Sequence, residues 1–259
     1  MTIRKILDGV KDGRQSVEDA EKQIKLLSYK KLRHIAKIDT HREKRTGIPE
    51  AILAEGKSVT ALFEIAKAQL KSEGRAIVTR VSEDQLKALK KIRGAALEWN
   101  ENARIAVLRK GVKPQKNGGK VGIVTAGTAD IAAAEEARVV AEEMGCEVLA
   151  IYDVGVAGIH RLFPELSKLV EFGADAVVVA AGREGTLPAI VAGLIDVPVI
   201  GLPVSSGYGR GGKGEAALLS MLQSCSALAV VNIDAGFVAG AVAAKISNKA
   251  AEARLKGKT

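Results

Sequence analysis

The sequence predicts an α/β protein in two parts: a three-layer, doubly wound parallel sheet over residues 121–259, preceded by a smaller α+β domain. Three observations predict it. From Val121 onward, five short runs rich in Val, Ile and Ala recur, each feeding a Gly-rich turn and then a helical pattern. Before that point, strand-like and helix-like periods alternate within a basic stretch. Charge divides at the same place: residues 1–120 hold 28 Lys and Arg against 15 Asp and Glu, and residues 121–259 hold 11 against 15.

The chain opens on the polar segment MTIRKILDGVKDGRQS, which lacks the apolar core of a signal peptide. Residues 16–38 begin with a Ser cap and an acidic first turn, and place Val17, Ile24, Leu27, Ile35 and Ile38 at near-helical spacing. One amphipathic helix is expected there. After the basic segment THREKRTG come IPEAILAEG, SVTALFEIAKAQLKSEG, RAIVTRVS, EDQLKALKKIRG and ARIAVLRKG, read as alternating strands and helices. Residues 110–120 carry Pro114, Gly118 and Gly119 without apolar periodicity, so they read as a linker closing a basic domain at 1–109.

The five runs beyond the linker are VGIVTAGTAD, EVLAIYDVGVAG, DAVVVAAGREG, VPVIGLPVSSG and ALAVVNIDAG. Continuous apolar strands alternating with helices imply a parallel sheet covered on both faces. Parallel connections then bring every post-strand loop to one edge, the expected ligand site. Turns and helix N-termini at such an edge bind phosphate or carboxylate through backbone N–H groups.

Composition removes several function classes. With 47% apolar and 27% charged residues the chain is neither disordered nor fibrous. No apolar run approaches the roughly 18–20 residues of a membrane span, and a cytoplasmic protein is expected. Cys146 and Cys225 sit apart, with no CxxC or His pairing, so neither a disulfide framework nor a zinc cage of usual spacing is expected. The net charge of +9 favours an anionic partner. Four Phe, three Tyr and one Trp supply few stacking platforms, which favours a small phosphorylated ligand over a nucleic acid.

Several pieces can carry chemistry, each beside a plainer reading. Asp130 can cap the next helix while Thr125, Gly127 and Thr128 surround an anion, or it is a simple N-cap. The stretch 207–214 contains both GxGxxG and GxxxxGK, but Gly214 stands where a P-loop needs Ser or Thr, and the segment follows the fourth strand instead of the first. A basic lid over an anion or a mobile surface loop remains. Glu184 follows a strand of Ala and Val, where a carboxylate can exchange protons, or it is an ordinary first-turn acid. Arg183 is a natural phosphate or carboxylate fork. His160 and Arg161 follow a Gly turn, and such a His is more often structural. His34 and His41 read as solvated. Cys225 and Cys146 each precede a strand at the edge opposite the loops, near a helix C-terminus, and read as buried structural thiols.

The order TAGTAD, GVAGIHR, AAGREGTLPAIVAGLIDVPVIGLPVSSGYGRGGKG, LLSMLQSC and VVNIDAGF resembles the LarB family, the pyridinium-3,5-biscarboxylic acid mononucleotide synthases of nickel-pincer nucleotide biosynthesis. RTGIPEAILAEGK and GRAIVTRVS carry the likeness into the first half. Residues 121–245 also resemble PurE, the aminoimidazole ribonucleotide carboxylase, which implies a PurE/flavodoxin-like sheet. The PurE patterns Ser-Gly-Ser-x-Ser-Asp and Ala-Ala-His-Leu-Pro-Gly read here as TAGTAD and GREGTLPA. Thr186 stands where PurE has its proton-transferring His, and Gln223, Ser224 and Cys225 replace a Gln-Met-Pro segment.

The resemblance implies a substrate, nicotinic acid adenine dinucleotide, with carbon dioxide or bicarbonate as co-substrate, AMP as a product and Mg2+ as an assisting ion of unknown ligands. It implies a homo-oligomer, an octamer as in PurE, in which several subunits' loops meet and Cys225 reaches a neighbour's site. Cys225 is then the covalent nucleophile and Glu184 the base. Asp130 is expected on ribose hydroxyls, Thr125, Gly127 and Thr128 on phosphate or carboxylate, and Arg161, Arg183 and Lys213 on anionic groups. His160, Ser205 and Gly207 are expected to line the same site. Arg42, Arg45 and Lys57 either grip the distal nucleotide or form a solvated basic surface. Competing readings are purine-type carboxylation and a non-catalytic nucleotide-sensing or RNA-binding module.

Overall fold

A computed structural model describes residues 3–27, 30–32, 36–39, 42–111 and 113–257. It divides into two compact units, one of 1–98 with 106–112 and one of 99–105 with 113–259.

The first unit opens with helices α1 (Ile3–Lys11) and α2 (Val17–Leu27). The Ser16 hydroxyl accepts the Asp19 N–H at 3.0 Å, the expected cap. The helix expected to run to residue 38 stops at Leu27. Beyond it, β1 (Lys30–Leu32) and β2 (Ala36–Ile38) pair antiparallel, Lys31 opposite Lys37. Strand pairing, and not the helical spacing of Ile35 and Ile38, sets the backbone here. His34 and His41 lie outside the described residues.

After α3 (Arg42–Thr46) come β3 (Ala51–Leu53), α4 (Val59–Glu73), β4 (Arg75–Thr79), α5 (Glu83–Leu89), β5 (Ala96–Asn100) and β6 (Ile105–Arg109). The sheet runs β3-β4-β6-β5, with β3 parallel and β6 antiparallel to β4. Ser58 caps α4 by accepting the Ala61 N–H, and Ser82 forms a reciprocal capping box with Gln85 on α5. The core is Ile52, Leu62, Leu70, Ile77, Val78, Leu89 and Leu108.

The second unit is the doubly wound part. Its strands β7 (Lys120–Thr125), β8 (Glu147–Ile151), β9 (Ala176–Ala181), β10 (Val199–Pro203) and β11 (Leu228–Val230) are the five apolar runs. They lie in the order β11-β10-β9-β7-β8, every pair parallel. In chain order of the runs this is 2-1-3-4-5, the flavodoxin-like arrangement. Helices α6 (Ile131–Glu143) and α10 (Gly236–Lys256) cover one face, and α7 (Leu162–Phe172), α8 (Leu187–Ala192) and α9 (Glu215–Leu222) the other. All six residues of the central β9 are buried, as a strand covered on both faces requires.

The α6–α10 contact is made backbone to backbone. A Cβ at Gly236 would lie 2.3 Å from the Ala133 carbonyl oxygen, and one at Gly240 would lie 2.3 Å from that of Ala137. Only glycine fits these two sites, one turn apart, so the long C-terminal helix seats directly on α6. Among the described residues no helix is long and apolar enough to cross a membrane.

Candidate functional site

The parallel register delivers the segments after β7, β8, β9, β10 and β11 to one edge, and side chains from distant parts of the chain lock them together. Asp130 ends a short 3-10 turn (Thr128–Asp130) ahead of α6 and is buried. Its Oδ2 accepts the Gly127 N–H at 2.9 Å, and its Oδ1 accepts the Ser206 hydroxyl at 2.7 Å. The expected side-chain cap on α6 is not made. Asp130 instead ties the loop after β7 to the loop after β10, so both oxygens predicted to meet a ribose already have donors. Burial pushes its carboxyl up, the Ser206 and Gly127 bonds oppose that shift, and the charge of Glu184 adds to it.

Gly182, at the end of β9, lies beneath this bond. A Cβ there would sit 1.8 Å from Ser206 Oγ, and one at Gly207 would sit 2.6 Å from the Gly182 carbonyl oxygen. The loops after β9 and β10 therefore interlock through bare backbone.

Thr125 is a correction to the sequence reading. It is fully buried, and its Oγ1 accepts the Asp153 N–H at 3.0 Å, so it holds the loop after β8 instead of facing a ligand. Asp153, a non-glycine residue with φ of 58°, accepts Arg161 Nη1 at 2.7 Å. Arg161 is thus half-exposed and internally paired, while His160 beside it is exposed. The backbone N–H of Ser205 donates to Asp234 Oδ1 at 2.9 Å, bringing in the loop after β11. Ser205, Thr128, Arg183, Glu184 and Lys213 are exposed, and Gly127 and Gly207 half-buried, at this edge. Glu184 is therefore not enclosed by the apolar strand before it. Tyr208, which sequence reasoning passed over, presents its ring 4.3 Å from the Arg183 guanidinium carbon and is 77% exposed.

The cysteines part company. Cys146 is buried, its Sγ 3.1 Å from Asn248 Oδ1, and burial, with a smaller contribution from the charge of Asp175, pushes its thiol up to about 12. Cys225, read as buried, is exposed. It lies between α9 and β11, at the edge where β11 begins, and hence opposite the loops of its own chain. The apolar pattern before it misled because Leu219 and Leu222 of α9 are themselves exposed.

A second cluster backs the β8 loop. The buried carboxylate of Glu135 on α6 accepts Arg138 Nε at 2.6 Å, Asn100 Nδ2 at 2.5 Å and the Tyr152 hydroxyl. Burial alone raises its carboxyl, but these donors together outweigh it and hold it below the ordinary range. In the first unit, Arg42 pairs with Glu50 at 2.9 Å, Arg45 with Asp39, and Lys57 Nζ donates to the Leu53 carbonyl at 2.7 Å. Each cation expected to grip a distal nucleotide is thus engaged within its own unit.

No group of three or more His, Cys, Asp or Glu suited to a metal occurs among the described residues. A protein-built Mg2+ cage does not fit, and no step below runs through one.

Five interlocked loops lie at the carboxyl edge of a flavodoxin-like sheet, an architecture shared with carboxylase-type enzymes. Residues 120–258 match the AIR carboxylase model and residues 29–110 the LarB/PurE-like N-terminal domain. The chain belongs to the AIR carboxylase family and has the LarB arrangement of domains. It is 41% identical over 256 residues to an uncharacterized protein of Methanocaldococcus jannaschii, covering 95% of this chain and 98% of that one. It is 31% identical over 117 residues to the N5-carboxyaminoimidazole ribonucleotide mutase of Pyrococcus horikoshii, covering 44% of this chain and 62% of the mutase. The mutase of the same name from M. jannaschii is 33% identical over 127 residues, 48% of this chain and 76% of that enzyme.

Proposed function

We propose that the protein carboxylates the pyridinium ring of nicotinic acid adenine dinucleotide at its 5-position and cleaves the phosphoanhydride, giving pyridinium-3,5-biscarboxylic acid mononucleotide and AMP. The observation that carries this reading is the pairing of a LarB/PurE-like N-terminal domain with an AIR carboxylase domain whose third loop reads Gly-Arg-Glu-Gly-Thr and whose α9–β11 junction carries an exposed cysteine.

The chemistry requires a nucleophile because a pyridinium ring is electron-poor and does not attack carbon dioxide. The Cys225 thiolate of a neighbouring copy adds at the 4-position, and the ring becomes a neutral dihydropyridine. Its enamine carbon at the 5-position then forms the bond to carbon dioxide. Glu184 removes the proton from that carbon, the electron pair restores aromaticity, and the thiolate leaves. Covalent addition inverts the ring's polarity, and base assistance is worth about 10² to 10⁴ in rate. Arg183 and Lys213 meet the anionic groups, and Thr128 with the Gly127 turn meets phosphate or carboxylate.

Cys225 lies at the wrong edge to serve its own chain, so the reading needs assembly. The exposed Leu219 and Leu222 beside it, and the short edge strand β11, favour burial of this region against a second copy. A closed homo-oligomer, octameric by likeness to PurE, meets this need.

Incubation with the dinucleotide, bicarbonate and magnesium tests the proposal: AMP and a dicarboxylated pyridinium mononucleotide should appear together. Full carboxylation by Cys225→Ala would overturn the covalent route. A second reading, purine-type carboxylation, is favoured by the named mutases among the relatives, and Thr186 weighs against it because the proton-transferring His is missing. Turnover of aminoimidazole ribonucleotide or its N5-carboxy form would support it.

A further inference from the structure

We infer that the face of Tyr208 is the seat of the substrate's cationic ring, and that Arg183 occupies this seat until the ring displaces it. The inference rests on the proposed pyridinium substrate and adds a residue to its site. Three observations carry it. Tyr208 is 77% exposed, although the chain has only eight aromatic residues. A solvated aromatic face beside a ligand loop is an unspent binding surface.

The ring already holds a cation. The Arg183 guanidinium carbon lies 4.3 Å from its centroid, within the roughly 6 Å range of cation–π attraction. A face that stabilises a planar guanidinium also stabilises a planar pyridinium, and one side of the ring holds one of them at a time.

The third observation is placement. Gly207, on whose position the Gly182 carbonyl closes, precedes Tyr208, and Gly209 follows it with φ of 77°. The ring thus stands over Arg183, whose neighbour in the chain is Glu184. A pyridinium on Tyr208 releases the Arg183 fork toward a carboxylate or phosphate, so one displacement makes two contacts.

The test uses the full-length protein and 1-methylnicotinamide, a pyridinium with no anionic group, titrated by NMR. Arg183→Ala removes the competing cation and should tighten this probe by about two- to fivefold, the size of an exposed cation–π contact. Tyr208→Ala should weaken it by at least as much, and Tyr208→Phe, which keeps the face, should bind within about twofold of the parent. AMP affinity should be unchanged by Tyr208→Ala. If Arg183→Ala leaves the probe's affinity unchanged or weaker, or if Tyr208→Ala weakens AMP instead of the probe, the inference is overturned. Carboxylation is not the readout, so absence of turnover sinks the proposed reaction while this result stands or falls by itself.

Discussion

The Ser206 hydroxyl meets Asp130 Oδ1 at 2.7 Å although the two residues are 76 apart in the chain, and Gly182 leaves the space for the bond. This contact joins the loops after β7 and β10, and the end of β9 packs beneath it. Gly182→Ala should displace Ser206 and cost about 1–3 kcal/mol, as forced overpacking does. Urea unfolding measures the loss, and ligand affinity should fall in the same variant because the loops after β7 and β10 separate.

Asp130 gives the stability a sign with pH. Its carboxyl is raised in the folded state, chiefly by burial, so above the ordinary Asp value of 3.8 the folded chain holds a proton that the unfolded chain has released. Its contribution to stability therefore falls as pH rises through that window. Asp130→Asn should remove this slope, which urea midpoints from about pH 4 to pH 7 will show.

Glu135 has the opposite sign. Its donors hold the carboxyl down, so its contribution is present above the ordinary Glu value of 4.5 and is lost as pH falls through the lower folded value. Tyr152→Phe removes one donor. It should cost about 1–3 kcal/mol at neutral pH and shrink the loss on acidification, which then ends at a higher pH, read by the same unfolding series.

The two thiols should differ in reactivity. Cys225 is exposed, whereas burial suppresses Cys146 thiolate at neutral pH. A disulfide reagent should titrate one fast thiol per chain, lost in Cys225→Ser and protected by the dinucleotide. Two equally fast thiols would contradict the structure.

In the proposed reaction, Cys225→Ala should abolish carboxylation while preserving the fold. Glu184→Gln should retain dinucleotide binding and slow turnover by about 10² to 10⁴. Equal losses in KM and kcat for Glu184→Gln would argue for a binding role instead of a proton-transfer role.

The five strands, their parallel sense and the loop edge were legible because continuous Val, Ile and Ala runs alternate with helical periods, a pattern with few other solutions. The segment from Leu27 to Ile38 was not, since its apolar spacing suggests a helix and carries no alternation that would announce the strand pairing. Thr125 was misassigned because a residue at a strand's end can point into the site or into the neighbouring loop, and only the Asp153 N–H settles which. Cys225 was misread because an apolar helix implies burial only when something covers it. Tyr208 occupies a variable position of the glycine-rich stretch 207–214 and was not singled out by it. Its signal was rarity: an aromatic residue set among glycines in a chain that has few of either Tyr or Trp.

The helix α10 rests on α6 through Gly236 and Gly240, and α6 begins where Asp130 ends its turn. The chain's C-terminal segment is therefore mechanically continuous with the ligand edge. A change that levers α10 away from α6 would loosen the loop edge from a distance.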